Sequence, residues 1–122
     1  MILADTAIWI AHFRASEADL KAQLLVRNVA IHPFIVAELA LGSLHDRRQT
    51  LEMLDRLPQV QVAQLAEVRH MIEVQSLFSK GIGLTDAHLV ASALLTPWVR
   101  LWTRDKRLRG IALALGIDAG LN

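Results

Sequence analysis

The stretch MILADTAIWIAHF, residues 1–13, decides the fold class. Its first five residues form an apolar run that ends in an aspartate, which predicts a short buried strand with Asp5 at its carboxyl end. The next eight residues place apolar side chains at helical spacing, and Thr6 is a candidate N-cap for this helix. A strand that leads directly into a helix is the first unit of an alternating α/β chain.

The same alternation continues along the rest of the chain. Further strands are predicted at VAIH (29–32), QVQVAQL (59–65) and VRLWT (99–103). Further helices are predicted at residues 17–28, 33–44, 47–57, 66–81, 85–95 and 104–116. Strands separated by helices predict a parallel sheet covered on both faces, the three-layer α/β/α class. No linker or repeat divides the chain, so we expect one domain over residues 1–122.

Composition limits the classes of function. The 122 residues are 53% hydrophobic and 20% charged, which suits a globular domain with a core of its own. The absence of cysteine excludes disulfide frameworks, thiolate zinc sites and cysteine nucleophiles. No apolar run reaches the roughly 18 residues of a membrane span, and the first residues lack the basic region of a signal peptide, so we expect a cytoplasmic protein. A net charge of +1 does not by itself indicate a nucleic-acid partner.

Four of the 12 acidic residues stand apart from the polar helix faces. Asp5 and Asp105 follow predicted strands, and the carboxyl ends of parallel strands form the ligand crevice of open α/β sheets. Glu38 is the only charge in an apolar helix, and Asp86 begins another. Each has a structural alternative. Asp5 and Asp86 also suit helix N-termini, Glu38 could occupy a narrow exposed edge, and Asp105 could neutralise the arginines around it.

The four carboxylates converge if both strand ends and both helix turns lie on one rim of the sheet. Two carboxylates ~4 Å apart repel by about 4 kcal/mol at an effective dielectric of ~20, so such a cluster needs cations. Oxygen ligands without cysteine or a two-histidine helix pairing favour Mg²⁺ or Mn²⁺ over zinc. Ions held in this way typically act on phosphates. The basic run beside Asp105 would then hold a phosphate backbone, with Arg104, Lys106 and Arg107 as candidate substrate-binding residues.

Four segments of the chain follow one another in a recognisable order. They are DTAIW (5–9), AELALG (37–42), GIGLTDAHLVASAL (81–94) and LWTRDKRL (101–108). In this order and rough spacing they resemble the PIN-domain ribonucleases, specifically the VapC-type toxins of bacterial and archaeal toxin–antitoxin modules. The resemblance covers essentially the whole chain.

The resemblance implies a parallel five-stranded α/β/α sandwich and Mg²⁺- or Mn²⁺-dependent endonucleolytic cleavage of RNA. It places Asp5, Glu38 and Asp86 on carboxylates that bind the principal ion directly or through water. Asp105 completes this acidic quartet. Thr103 falls on the hydroxyl position of the T-x-D signature, where it would orient a ligand or the attacking water.

The resemblance also implies partners. It predicts a homodimer and a cognate VapB-type antitoxin, whose C-terminal segment wraps the toxin and obstructs its active site. One departure is Ala7, which stands where the family often has Ser or Asn. The alanine cannot make the hydrogen bond that Ser or Asn could make there, but no carboxylate is missing.

Three other functions fit part of the pattern. A phosphoacceptor receiver domain has a similar length, but its phosphorylation segment would have to be MLDRLP around Asp55, which lies in a helical pattern. A binding-only PIN-like module would hold RNA or a protein without cutting, and an incomplete acidic set would indicate it. A DNA nuclease on the same fold is also compatible, because a metal–carboxylate site does not read the 2′-hydroxyl.

Histidines and aromatic residues are predicted to be structural. His88 lies two residues after Asp86 and therefore on a different helix face. The other histidines lack ligand spacing, namely His12, His32, His45 and His70. Core or dimer-surface positions are expected for Trp9, Phe13, Phe34 and Phe78. RNA stacking is conceivable for Trp98 and Trp102 beside the basic run, but core packing is the favoured interpretation.

Overall fold

The computed structural model describes all 122 residues, in seven helices and three strands. The strands are β1 (Ile2–Ala4), β2 (Val29–Ala30) and β3 (Arg100–Trp102). The helices are α1 (Thr6–Ala15), α2 (Ala18–Leu25), α3 (Pro33–Leu41), α4 (Arg47–Asp55), α5 (Leu65–Val74), α6 (Leu84–Leu95) and α7 (Lys106–Ala114). None of these helices combines the length and apolarity that crossing a bilayer requires.

The three strands form one parallel sheet in the order β2–β1–β3. In the middle strand, Leu3 pairs with Ala30 on one side and with Leu101 on the other. All three residues of β1 are buried, which explains why this strand is apolar throughout rather than alternating. Because β1 and β3 run in the same direction, their carboxyl ends open onto one edge of the sheet. The predicted α/β class with a parallel sheet is confirmed.

Two further segments join this sheet at one residue each, where the resemblance implied two more strands. Ile31 forms a parallel bridge with Gln59, and Leu101 forms one with Asp118. The predicted strand QVQVAQL leaves the sheet edge early because Gln61 N–H donates to Thr96 Oγ1 at 3.0 Å instead of to a strand. The sheet therefore has three strands with a single bridge beyond each edge. The three-layer sandwich stays a prediction.

Several helices begin or end a few residues from the predicted bounds, and two of the differences have a clear cause. The N-cap of α1 is Asp5 rather than Thr6, since the Asp5 carboxylate accepts the Thr6 N–H at 2.8 Å. The helix predicted over 66–81 ends at Val74, well before Gly81. Ser76 adopts a left-handed φ of 53°, and Leu77 N–H then donates to the Ile72 carbonyl at 2.9 Å. This bond closes the helix in the manner of a Schellman motif without a glycine.

One cluster of 24 buried residues forms the main core. It includes Trp9 and Trp102, both fully buried as expected. Phe13, Phe78 and Trp98 are exposed instead, so the prediction of core packing was wrong for Trp98. The core thus fixes β1, β3 and α6, the elements that carry three of the four candidate carboxylates at their ends.

Candidate functional site

Thr103 links the ends of β1 and β3. Its Oγ1 donates a hydrogen bond to Asp5 Oδ2 at 2.8 Å and accepts one from the Asp105 N–H at 3.1 Å. Thr103 is only 1% exposed, and both bonds are partly buried. The other Asp5 oxygen, Oδ1, accepts the Thr6 N–H at 2.8 Å. One buried hydroxyl therefore connects the two aspartates that the sequence places at strand ends.

Asp86 and Asp105 both lie in first turns of helices. Asp105 caps α7, with Oδ1 accepting the Leu108 N–H at 2.9 Å. Asp86 lies in the first turn of α6, and its Oδ2 accepts the Gly83 N–H at 3.4 Å. The capping alternatives considered for Asp5 and Asp86 are therefore observed, and Asp105 also caps a helix. Each of these two caps uses one carboxylate oxygen and leaves the other without a protein donor.

Glu38 is exposed on α3. The sequence left Glu38 either buried for a functional reason or placed on an exposed edge of its helix, and its exposure agrees with the second interpretation. Its carboxylate has no hydrogen-bond donor or basic partner within the chain, and it lines a cavity of about 700 Å³ together with Ile10, Phe13 and Met53. A carboxylate in an otherwise apolar helix is thus left open to a ligand.

The four carboxylates share one electrostatic environment. Burial is the largest cause that raises the pKa of the Asp86 carboxyl, and the hydrogen bond from Gly83 opposes it. The pKa is raised further by the negative charges of Asp5, Asp105 and Glu38. None of the four forms a salt bridge with a lysine or an arginine. The edge of the sheet therefore carries negative charge that the chain does not neutralise.

The chemistry of this donor set fits a hard divalent cation. All the candidate ligand atoms are carboxylate oxygens, which Mg²⁺ and Mn²⁺ prefer, and the chain has no cysteine. No three His, Asp or Glu side chains stand close enough together to form a ready-made ligand group. The unbonded oxygens of Asp86 and Asp105 and the exposed side chain of Glu38 would therefore have to rotate toward an ion. The residues match in type and location, and their convergence requires side-chain movement.

The structure distinguishes the three predicted substrate-binding residues. Arg104 donates to both carboxylate oxygens of Glu17, at 2.9 and 2.8 Å, and lies 5.6 Å from the centroid of the Trp102 ring. The hydrogen bond between the two side chains lowers the pKa of Glu17 and raises the pKa of Arg104. Lys106 and Arg107 are exposed and form no salt bridge. Arg104 is thus engaged within the chain, whereas the other two are free to meet an anion.

Two histidines, His32 and His88, are buried. His32 caps α3, with Nδ1 accepting the Phe34 N–H at 3.0 Å, and its ring centroid lies 6.2 Å from that of His88. Loss of hydration, with a smaller contribution from His88, lowers the pKa of His32 to about 4. Burial also lowers the pKa of His88. The sequence did not indicate the capping role of His32, although Pro33 at the first helical position was a signal for a cap just before it.

Comparison with known proteins agrees with this architecture. The chain belongs to the PIN-domain family, whose sequence pattern matches residues 2–113. Within that family it is similar to Ribonuclease VapC32 of Mycobacterium tuberculosis strain CDC 1551 / Oshkosh, with 40% identity over 117 residues, covering 96% of this chain and 94% of that protein. The same figures hold for Ribonuclease VapC32 of strain ATCC 25618 / H37Rv. The predicted class, a PIN-domain toxin of the VapC type, is confirmed, and the receiver-domain alternative is excluded.

Proposed function

We propose that this chain is a Mg²⁺- or Mn²⁺-dependent endoribonuclease that acts as the toxin of a type II toxin–antitoxin module. Support comes most directly from the environment of Asp86, whose pKa is raised by burial and by three neighbouring carboxylates that no lysine or arginine neutralises. Such an arrangement is unfavourable unless a cation binds there. RNA as the substrate is supported by the name of the similar mycobacterial protein, a ribonuclease.

Asp5, Glu38, Asp86 and Asp105 would hold the ion. When bound, such an ion stabilises the charge that builds on a phosphate under attack and activates water for hydrolysis. The Thr103 hydroxyl has one proton, and it is donated to Asp5 Oδ2. Of the two predicted roles, orientation of a ligand is favoured, because this bond fixes the Asp5 carboxylate and leaves the hydroxyl no proton to donate to a water.

The substrate phosphates would meet Lys106 and Arg107, which directly follow Asp105 and have no acidic partner. Arg104 contributes less, because releasing it breaks two hydrogen bonds with Glu17. We therefore expect RNA affinity to depend strongly on Lys106 and Arg107 and weakly on Arg104.

A VapB-type antitoxin is the partner expected for a toxin of this class. The cavity of about 700 Å³ beside Glu38 supports such an arrangement, because its lining includes the exposed apolar residues Ile10, Phe13 and Met53. A peptide segment seated there would cover Glu38 and the approach to it. A homodimer, a single domain over residues 1–122 and a cytoplasmic location belong to the same proposal.

Cleavage assays test the proposal. Purified protein is incubated with total cellular RNA and with single-stranded DNA of matched length, in Mg²⁺, in Mn²⁺ or in EDTA. Asp5→Asn and Asp86→Asn are compared with Asp55→Asn, which changes an exposed carboxylate at the end of α4. Discrete RNA fragments that need metal and disappear only in the first two variants support the nuclease.

The alternatives give different results in the same assay. Cleavage of DNA at least as fast as RNA would identify a DNA nuclease. Retention of RNA without cleavage in any metal would identify a binding-only module. Full activity of Asp5→Asn and Asp86→Asn would show that these two carboxylates are not needed for cleavage.

A further inference from the structure

A second cavity, of about 410 Å³, lies between the end of α5, the segment after it and α7. Three of the residues that line it are cations, Lys80, Lys106 and Arg107, and none is an aspartate or a glutamate. No salt bridge engages any of the three. We call this cavity the basic groove. Its charge suits an anionic ligand.

Arg107 contacts the segment that follows α5. Its Nη1 donates to the Gly81 carbonyl at 3.4 Å. Gly81 has a φ of +75°, and a Cβ at this position would lie 2.6 Å from Arg107 Nη1. The left-handed backbone favours glycine here, whereas the guanidinium is the mobile end of a long side chain and could move away from a Cβ. The contact uses one of five guanidinium N–H groups, so the others remain available to a ligand.

Gly110 lines the same groove from the middle of α7. Glycine inside a helix is destabilising relative to alanine. Here neither a left-handed backbone nor a crowded neighbour calls for it, because a Cβ at this position would meet no atom within 4 Å. Gly110 follows Lys106 by four residues and Arg107 by three, so all three lie on one face of the helix. The missing side chain keeps the groove open directly beside two cations.

The basic groove includes residues that neighbour the candidate active site in sequence. Lys106 is the residue after Asp105. Gly81, whose carbonyl accepts a hydrogen bond from Arg107, lies two residues before Gly83, whose N–H donates to the Asp86 carboxylate. We therefore expect an extended chain that crosses the carboxylates to reach the groove at Lys106.

We propose that the basic groove binds the phosphate backbone of the RNA strand beside the cleavage point. The phosphates contact Lys80, Lys106 and Arg107, and Gly110 lets the strand lie close to α7. The inference rests on the proposed ribonuclease function and adds Lys80 and Gly110 to its substrate-binding surface. RNA is favoured over a folded protein partner because three cations without an acidic partner line a groove near a site for phosphate chemistry.

The test measures binding separately from cleavage. A fluorescein-labelled single-stranded RNA of about 12 nucleotides is titrated with full-length protein in EDTA, at several salt concentrations. Lys80→Ala is expected to weaken binding about fivefold and to reduce the slope of log K against log salt by about 0.7, the value for one lost phosphate contact on a single strand. Lys21→Ala, at an exposed lysine of α2, is the matched control and is expected to bind as the wild type does.

Gly110 gives a second, uncharged test. Gly110→Ala is expected to raise Tm by about 4 °C and to leave RNA affinity within about twofold, because one methyl group fits the space. Gly110→Gln keeps the charge and the helix but places a longer side chain in the groove, so binding is expected to fall about tenfold. Circular dichroism confirms that both variants are folded.

The possible outcomes distinguish RNA binding by the groove from the proposed nuclease activity. If both Lys80→Ala and Gly110→Gln bind RNA with wild-type affinity and salt slope, the proposal that the groove binds RNA is overturned, even if the protein cleaves RNA in Mg²⁺. Weaker binding in both variants, with no cleavage by the wild type in any metal, would support the groove and refute the nuclease. Binding of an acidic peptide that depends on Lys80, with no RNA bound, would assign the groove to a protein partner and overturn the inference.

Discussion

Replacing Thr103 by valine removes one hydroxyl and almost nothing else, since valine has nearly the same shape. Asp5 Oδ2 loses its donor at 2.8 Å, and the Asp105 N–H loses its acceptor at 3.1 Å. A hydrogen bond to a charged group contributes about 1.5 to 3 kcal/mol and a neutral one about 1 kcal/mol. Because Asp5 is half-buried and water can replace part of the loss, we expect Thr103→Val to destabilise the protein by about 2 to 3 kcal/mol.

The same change should act more strongly on the candidate metal site. Asp5 loses the group that holds its orientation, and removal of a residue that orients a metal ligand typically costs 10- to 100-fold in metal affinity or activity. The assays are Tm with and without Mn²⁺, Mn²⁺ affinity by calorimetry, and RNA cleavage against metal concentration. Thr103→Ser keeps the hydroxyl and should restore most of the affinity.

Thr96→Val is the matched control. Thr96 is also buried, and its Oγ1 accepts the Gln61 N–H at 3.0 Å away from the carboxylates. We expect it to lose about 1 kcal/mol of stability with unchanged Mn²⁺ affinity. If Thr103→Val binds Mn²⁺ as tightly as Thr96→Val does, the hydroxyl is only a structural group and our reasoning about Asp5 is wrong.

Three further predictions concern pH and charge. Burial and like charges raise the pKa of Asp86, so its ionised form destabilises the fold at neutral pH. Asp86→Asn should therefore raise Tm in EDTA, and Mn²⁺ should raise Tm of the wild type more than that of the variant; a lower Tm in EDTA would contradict this. The pKa of His32 is lowered from 6.5 to about 4, so the unfolded chain takes up the proton first as pH falls. The free energy of unfolding should fall by about 2 to 3 kcal/mol between pH 6.5 and 4. The fall should be smaller in His32→Asn, which keeps a capping acceptor. If denaturant titrations give the same dependence of unfolding free energy on pH for both proteins, His32 is not the cause. Arg104 lowers the pKa of Glu17, so the pair should stabilise the fold above pH 4.5 and lose its effect at lower pH. The Tm difference between wild type and Glu17→Gln should accordingly shrink as pH falls below 4.5, and a difference that stays constant would refute the assignment.

The sequence was sufficient for the elements whose signals are local. The apolar run before Asp5 forms the buried central strand, because a central parallel strand is apolar on both faces. The run before Thr103 forms an outer strand whose last two residues are buried. The long apolar run over 85–95 likewise forms α6. Carboxylates that follow such runs could be placed at one edge of the sheet without any knowledge of tertiary contacts.

Local patterns failed where a distant partner decided the outcome. Residues 59–65 alternate like a strand, yet Gln61 donates to Thr96, 35 residues away. Arg104 belonged to an apparently free basic run, yet Glu17 engages it across 87 residues. No window of sequence contains both members of either pair. The exposure of Glu38 was left open for the same reason, since its surroundings come from α1 and α4.

The hydrogen bond between Thr103 and Asp5 joins residues that are 98 positions apart. β1 and β3 are neighbours in the sheet, so the central strand lacks one of its partners until nearly a hundred further residues have been translated. Pairing of such distant segments is slow compared with local helix formation. A ribosome making this chain therefore carries an unfinished site through most of elongation, and a nascent chain that stalls before β3 contains Asp5, Glu38 and Asp86 but lacks Thr103 and Asp105. If the carboxylates cut RNA as proposed, the translating cell is exposed to that activity only after the chain has been made past β3.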